Sequence, residues 1–392
     1  MHDFDEMVNR IQTESYKWDY EAEGGKYISL GVADMDFKSP SPIIEKLHEM
    51  SEFGVFGYGV MPKQRFREAV CKWYRDRYSI KVEPEWLEYS QGLMNGALWL
   101  CMDAYTRAGD KIVVQPPVYN TFNIVVEEAG RRIVENPLIY RDGTYEMDYE
   151  DLERKVSDPR VRILLLCNPH NPIGRLWTRE ELLRVYQICR RHDTLVLSDE
   201  IHGDLTYQGK KLVPFFSVSD DPDDPVIVMG SPSKTFNLAS FYSSYVVIKN
   251  EKLRAQFAAV YNKYHFDYNR FGLEALITAY NECGYYVDQL KEYLWKNICV
   301  VKEFLGRVMP EVKMAEPEAT YLLWIDFSAW GMSPFELNNF LKDCGIIVNS
   351  GTAYGTGGEG FVRVNIACQT QVLEQVLRKL EKGYRERIKK ML

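Results

Sequence analysis

Apolar residues along this chain follow two alternating rhythms. Over 111–115, 162–167, 194–198 and 226–230, β-branched and aliphatic residues run together without polar alternation, the mark of strands buried on both faces. A further short strand is predicted over 132–135. Between these runs the apolar positions recur every three or four residues. Phe66, Val70, Trp73 and Tyr74 define one buried face of a helix over 64–78, and Ser41-Pro42 supplies the start of a helix over 43–53. Another helix is predicted over 149–156, and Thr178 with Glu181 forms a capping box for one that runs to Arg191. Pro116-Pro117 cannot pair in a strand ladder, so the chain leaves the sheet there and places Tyr119 on a stiff corner.

Short buried strands alternating with helices imply an α/β fold, a mostly parallel sheet covered by helices on both faces. Such sheets collect ligands at the carboxyl ends of their strands. Gly92, Tyr119, Asn171, Asp199 and Lys234 each follow a predicted strand directly, so five separate positions should meet along one edge. Beyond about residue 267 the pattern changes. A long helical stretch over 271–308 precedes a strand region at 320–327, a helix at 334–342, strands at 346–348 and 361–366, and a helix from 371 onward. This predicts a smaller α+β domain, with a large domain over 41–280 and the small one built from 1–40 and 281–392.

Composition narrows the classes of function. The 392 residues are 46% hydrophobic and 27% charged, ordinary for a globular chain, and the net charge of -8 disfavours nucleic acid or an anionic membrane as partner. The N-terminal residues lack a basic region followed by an apolar run, so no signal peptide is expected, and no apolar run is long enough to span a bilayer. The eight cysteines are scattered without a close pair, which fits neither zinc spacing nor a disulfide framework and points to a reducing cytoplasm. No metal site is expected, and no internal repeat is present.

The candidate chemistry centres on Ser231-Pro232-Ser233-Lys234-Thr235-Phe236-Asn237, where a lysine leaves a buried strand among small hydroxyl residues. Partial desolvation there lowers the pKa of an amine and makes it a nucleophile for a carbonyl. The turn at 89–97 contains Gly92 and Gly96 before a helix, a backbone suited to cradling phosphate. The dense turn Asn168-Pro169-His170-Asn171-Pro172 and the sequence Asp199-Glu200-Ile201-His202 add polar groups to the same edge. Arg363 stands inside an otherwise apolar strand and is either half of an ion pair or a clamp for a carboxylate.

Together with Lys17-Trp18-Asp19, Val32-Ala33-Asp34-Met35-Asp36-Phe37, Phe56-Gly57-Tyr58-Gly59, Pro116-Pro117-Val118-Tyr119 and Phe361-Val362-Arg363, these motifs make the chain resemble the fold type I, aspartate-aminotransferase-like enzymes that use pyridoxal 5'-phosphate. Within them it is similar to the cystathionine β-lyases, a carbon-sulfur β-lyase subgroup. The resemblance implies the PLP-dependent transferase-like fold, with a seven-stranded sheet in the large domain. It makes Lys234 the residue that carries the cofactor and moves the substrate proton. Asp199 would pair with the pyridine nitrogen, with His202 behind it, while Asn171 would bind the ring oxygen and Tyr119 would stack on the ring. Gly92, Leu93 and Met94 would hold the phosphate, assisted by Ser231 and Ser233. Tyr58 would reach the phosphate from a neighbouring subunit, implying a homodimer. Arg363, with Tyr119 and Asn171, would bind the amino-acid substrate.

The implied reaction is cleavage of cystathionine, cysteine or an S-substituted cysteine to pyruvate, ammonia and a thiol. An aminotransferase on the same fold is the alternative, and a regulatory binding protein is a third. Two positions depart from the pattern. Tyr242 stands where the aminotransferases have a phosphate-binding arginine, so the phosphate should depend on amides and hydroxyls. Gly31 stands where this subgroup has tryptophan, which implies a roomier or differently shaped substrate pocket.

Overall fold

The computed structural model describes residues 2–141 and 143–391. Its centre is a seven-stranded sheet in the spatial order Leu87–Gln91, Ser243–Val247, Val226–Gly230, Leu195–Asp199, Val161–Cys167, Lys111–Val114 and Arg132–Glu135. All neighbours pair in parallel except Ser243–Val247, which runs antiparallel to both strands beside it. The strands bury both faces, and alternate residues enter opposite cores. Ile163 and Leu165 pack in one apolar cluster with Phe122 and Phe257, whereas Leu164 and Leu166 pack in the other with Trp177 and Phe236.

The helices at Tyr149–Val156 and Arg179–Arg191 match the predicted ranges, and Thr178 and Glu181 form the reciprocal capping box. The strand Ser243–Val247 and the helices Thr121–Glu128 and Glu251–Lys263 were not foreseen. Ser243-Ser244 opens that strand with small polar residues whose pairing across the sheet, not their own propensity, makes them extended. The long helical stretch is two helices, Arg270–Glu282 and Gly284–Val308, separated at Cys283.

A four-stranded antiparallel sheet, ordered Lys313–Met314, Leu322–Asp326, Phe361–Asn365 and Asn349–Ser350, forms the second layer system. The N-terminal segment packs beside it: Ile28–Ser29 pairs in parallel with Ile346–Ile347 in a separate two-stranded sheet, and the Asn365 amide donates to the Leu30 carbonyl at 2.8 Å. A buried charge cluster anchors this segment. Lys17, fully buried, donates to Asp36 at 2.7 Å, the Trp18 indole donates to the same carboxylate at 2.9 Å, and Arg10 pairs with both Asp34 and Asp36. Burial pushes the Asp36 carboxyl up, but these three donors outweigh it and hold its pKa below the usual range. Asp19 accepts from the amides of Gln12, Thr13 and Ser15, which fixes the preceding turn. The acidic and basic residues of the two N-terminal motifs thus hold Ala33 over the end of the large sheet.

All eight cysteines are unpaired. Among the described residues, no helix is long and apolar enough to cross a membrane, and no cluster of side chains suits a metal ion.

Candidate active site

The carboxyl ends of the parallel strands meet at a cavity of about 190 Å³. It is lined by Gly92, Leu93, Met94, Tyr119, Asn171, Asp199, His202, Ser231, Ser233 and Lys234, the whole predicted set apart from Arg363 and Tyr58. The convergence follows from topology: these residues come from separate strand ends of one sheet, and right-handed crossovers return each strand to the same edge.

Lys234 sits in the short helix Ser233–Phe236 just after the strand Val226–Gly230. Its Nζ donates to the Ala33 carbonyl at 2.8 Å, and the Tyr321 hydroxyl donates to the same oxygen at 3.0 Å. Burial, reinforced by the nearby Arg363 charge, lowers the Lys234 pKa to about 8 against the opposing pull of Asp34 and Asp199. Asp199, the last residue of its strand, is buried and accepts from the Ile201 amide at 3.2 Å. Among the described residues no cationic nitrogen lies within 4.0 Å of it. Burial raises its pKa to about 7, although the Ile201 amide and Lys234 oppose the shift.

Arg363 approaches from the small sheet. It is buried, donates to Asn171 Oδ1 at 3.1 Å and to the Gly31 carbonyl at 2.7 Å, and lies 5.2 Å above the Tyr354 ring. No carboxylate among the described residues lies within 4.0 Å, and its Nε has no partner. The ion-pair alternative for Arg363 is therefore excluded within the described residues. A buried guanidinium without a counter-charge is costly, and an incoming carboxylate relieves that cost.

At the opposite end, Gly92 adopts φ +75°, where a side chain is strained, and the helical turn Leu93–Leu98 begins. Its first internal bond runs from the Ala97 amide to the Gly92 carbonyl at 3.0 Å, leaving the preceding amides without helical acceptors. Tyr242 packs its ring against Gly92 and lines the cavity where an arginine was the expectation for an aminotransferase. Ser231 Oγ donates to the Ser243 carbonyl at 2.8 Å and accepts from the Ser233 amide at 3.1 Å. In this arrangement its proton is already engaged, and Ser233 keeps the free hydroxyl.

Two sequence expectations meet a different geometry. No hydrogen bond joins His202 to Asp199; its Nδ1 is buried without a partner, burial depresses its pKa, and its ring stands edge-on to Tyr321 at 5.8 Å. Tyr58, whose expected partner is a neighbouring subunit, is fully exposed and lies outside the cavity lining of its own chain. The notch at Gly31 is differently shaped but not roomier: a Cβ there would lie 2.7 Å from Asn349 Oδ1 and within 2.9 Å of both Glu21 carboxylate oxygens. Sequence reasoning also missed the Ala33 carbonyl, Cys167 and Ser243. Ala33 acts through its backbone, which no residue type announces. Cys167 closes a strand end and accepts from the Asn171 amide at 3.4 Å, a position that the strand pattern could have flagged.

A buried carboxylate without a cation, a depressed lysine and an open helix start thus share one cavity, and a buried guanidinium without an anion stands beside it, bonded to the lining residue Asn171. They complement a ligand pair with a protonated ring nitrogen, a reactive carbonyl, a phosphate and a carboxylate, which is the donor set of pyridoxal phosphate with an amino acid. The chain belongs to the aminotransferase class I and II family, whose model matches residues 25–380. Among its relatives, cystathionine beta-lyase PatB of Bacillus subtilis is 43% identical over 383 residues, covering 96% of this chain and 98% of that protein. Cystalysin from Treponema denticola, whose crystal structure contains pyridoxal 5'-phosphate, superposes with a TM-score of 0.94 at 32% identity, covering 98% of this chain and 99% of that one. A C-S lyase from Staphylococcus hominis, in complex with L-cycloserine, superposes with a TM-score of 0.91 at 30% identity over 98% and 99% of the two chains.

Proposed function

We propose that this protein is a pyridoxal-phosphate-dependent carbon-sulfur β-lyase that cleaves cystathionine, cysteine or an S-substituted cysteine to pyruvate, ammonia and a thiol. The observation that carries the reading is the pair of unmatched buried charges, Asp199 and Arg363, whose fields both reach the depressed Lys234 amine. When bound, the cofactor supplies an aldehyde that captures the amino group and a ring that accepts the electrons of the α-carbon. Every other task falls to the chain. Asp199 would keep the ring nitrogen protonated and Asn171 would donate to the ring oxygen, while Tyr119 would cover one face. The first-turn amides of Leu93 and Met94, with Ser233, hold the phosphate.

Arg363 grips the substrate carboxylate and thereby orients the α-proton toward Lys234. Released from the carbonyl of Ala33, the neutral Lys234 amine takes that proton. The β-carbon then loses its thiolate, which needs no oxo-acid acceptor. Tyr242 in place of an arginine departs from the aminotransferase pattern and would leave the phosphate held by neutral donors alone. The reading includes a large cofactor-binding domain over 41–280, a small domain from 1–40 and 281–392, and a cytoplasmic location. Purified protein incubated with cystathionine is expected to release pyruvate and thiol in equal amounts without any 2-oxo acid. Strict dependence on an added oxo acid would reverse the assignment in favour of an aminotransferase.

The reading also includes a homodimer. Phe53, Val55, Phe56, Tyr58 and Val60 form an exposed apolar strip, unusual for a free surface, and Tyr58 projects from it. A second subunit covering this strip would bring Tyr58 to the phosphate end of its neighbour's cavity. Mixing Tyr58→Ala with Lys234→Ala protein should therefore restore activity above either parent, since one site of each mixed dimer is then intact. If subunits exchange, as followed by two affinity tags, and activity stays at the level of the parents, Tyr58 acts within its own chain or not at all.

A further inference from the structure

We infer that Glu21 is a specificity-determining residue that selects substrates whose sulfur substituent carries an ammonium group; the inference rests on the lyase reading above. Glu21 closes the helical turn Tyr16–Glu21, and its carboxylate accepts a hydrogen bond from Ser29 Oγ. Among the described residues no lysine, arginine or histidine nitrogen lies within 4.0 Å of it. Both of its oxygens point into the notch left by Gly31, within 2.9 Å of where a Cβ would stand. The side chain is half-buried, so it is neither a solvated surface acid nor a neutralised core one.

This notch belongs to the substrate end of the site. The Gly31 carbonyl accepts from Arg363 at 2.7 Å. Asn349, which also fills the notch, is the cross-strand partner of Arg363 and donates to the Tyr354 hydroxyl at 3.0 Å. Tyr354 in turn lies under the Arg363 guanidinium. On this inference, a substrate whose α-carboxylate is held by Arg363 would extend its sulfur substituent past these residues, which adjoin Arg363. An unpaired carboxylate beside an amide oxygen offers two acceptors to a donor cation and repels an anion. The ligand chemistry is thus a cysteine thioether with a terminal ammonium; the far end of cystathionine carries such an ammonium beside a second carboxylate, which must turn away from Glu21.

The test compares S-(2-aminoethyl)-L-cysteine with S-propyl-L-cysteine, which match in length and differ in charge, and with S-carboxymethyl-L-cysteine. The loaded enzyme is expected to prefer the ammonium compound in kcat/KM. Glu21→Gln, which keeps an acceptor for Ser29, should lower the ammonium-to-propyl ratio by roughly 10-fold, the loss of one charge-assisted hydrogen bond. Gly31→Ala, which pushes the Glu21 carboxylate aside without changing any charge, should lower the same ratio. Glu21→Lys should turn the preference toward the carboxymethyl compound. Dissociation constants read from the visible absorbance of the loaded protein give the same ratios whether or not thiol is released. An unchanged ratio in Glu21→Gln and Gly31→Ala overturns the inference, whereas a shifted binding ratio with no pyruvate from any compound overturns the lyase reading and leaves Glu21 in its role.

Discussion

Lys234→Ala is expected to lower turnover of cystathionine by roughly 10²–10⁴-fold, the range typical for removing a positioned general base, with the fold and the thermal midpoint preserved. The fold should survive because the Lys234 amine makes one hydrogen bond, to the Ala33 carbonyl, and Tyr321 donates to that same oxygen. The Ala33 segment is held independently by the buried cluster of Lys17, Asp36 and Arg10. Removing the amine also deletes a charge that burial and Arg363 already disfavour. In the wild type, uptake of pyridoxal phosphate by cofactor-free protein should accelerate as pH rises through about 8, since only the neutral amine attacks an aldehyde and its pKa is lowered to about 8. Stopped-flow absorbance follows this directly. A variant that keeps full pyruvate production would remove Lys234 from the chemistry, and a pH-independent loading rate would show that the amine is not the titrating group.

How far the site could be read in advance depends on what each residue does there. Lys234, Asp199 and Asn171 act through side chains at strand ends, so the strand pattern alone placed them on one edge and the cavity contains all of them. The parallel part of the sheet was legible for the same reason: strands buried on both faces are continuous apolar runs. Ser243–Val247 was not, because its direction and its polar start are set by the two strands that flank it. Backbone contributions escaped as well. The Ala33 and Gly31 carbonyls accept from Lys234 and Arg363, and nothing about an alanine or a glycine declares that. Gly31 illustrates the limit most clearly: a missing side chain suggested space, whereas Glu21 and Asn349, ten residues before it and far along the chain, occupy that space. Tyr58 marks a different boundary, since its predicted partner atoms belong to another subunit.

Asp199→Asn should have opposite effects on activity and on the stability of the cofactor-free protein. The folded carboxyl titrates at about 7 instead of 3.8 because burial disfavours its charge. Between these values the folded state binds more protons than the unfolded state, so Asp199 makes stability fall as pH rises from about 4 to 7. With about 1.36 kcal/mol for each pH unit between 3.8 and about 7, the buried anion costs up to about 4 kcal/mol at pH 8. The neutral, isosteric asparagine has no such cost. Cofactor-free Asp199→Asn is therefore expected to have a higher urea midpoint than wild type at pH 8 and a similar one at pH 4. Glu200, raised to about 8 by burial, stays in both proteins and keeps a residual slope of the same sign. Cofactor reverses the order: a protonated ring nitrogen matches the Asp199 charge but not an amide, so loaded wild type should be the more stable protein. Turnover in the variant should fall by at least about 10²-fold, because an asparagine cannot hold the ring nitrogen in its cationic, electron-accepting form. Equal urea midpoints at pH 8 would mean that Asp199 is not an unmatched buried charge. Unimpaired turnover would mean that it does not face the ring nitrogen.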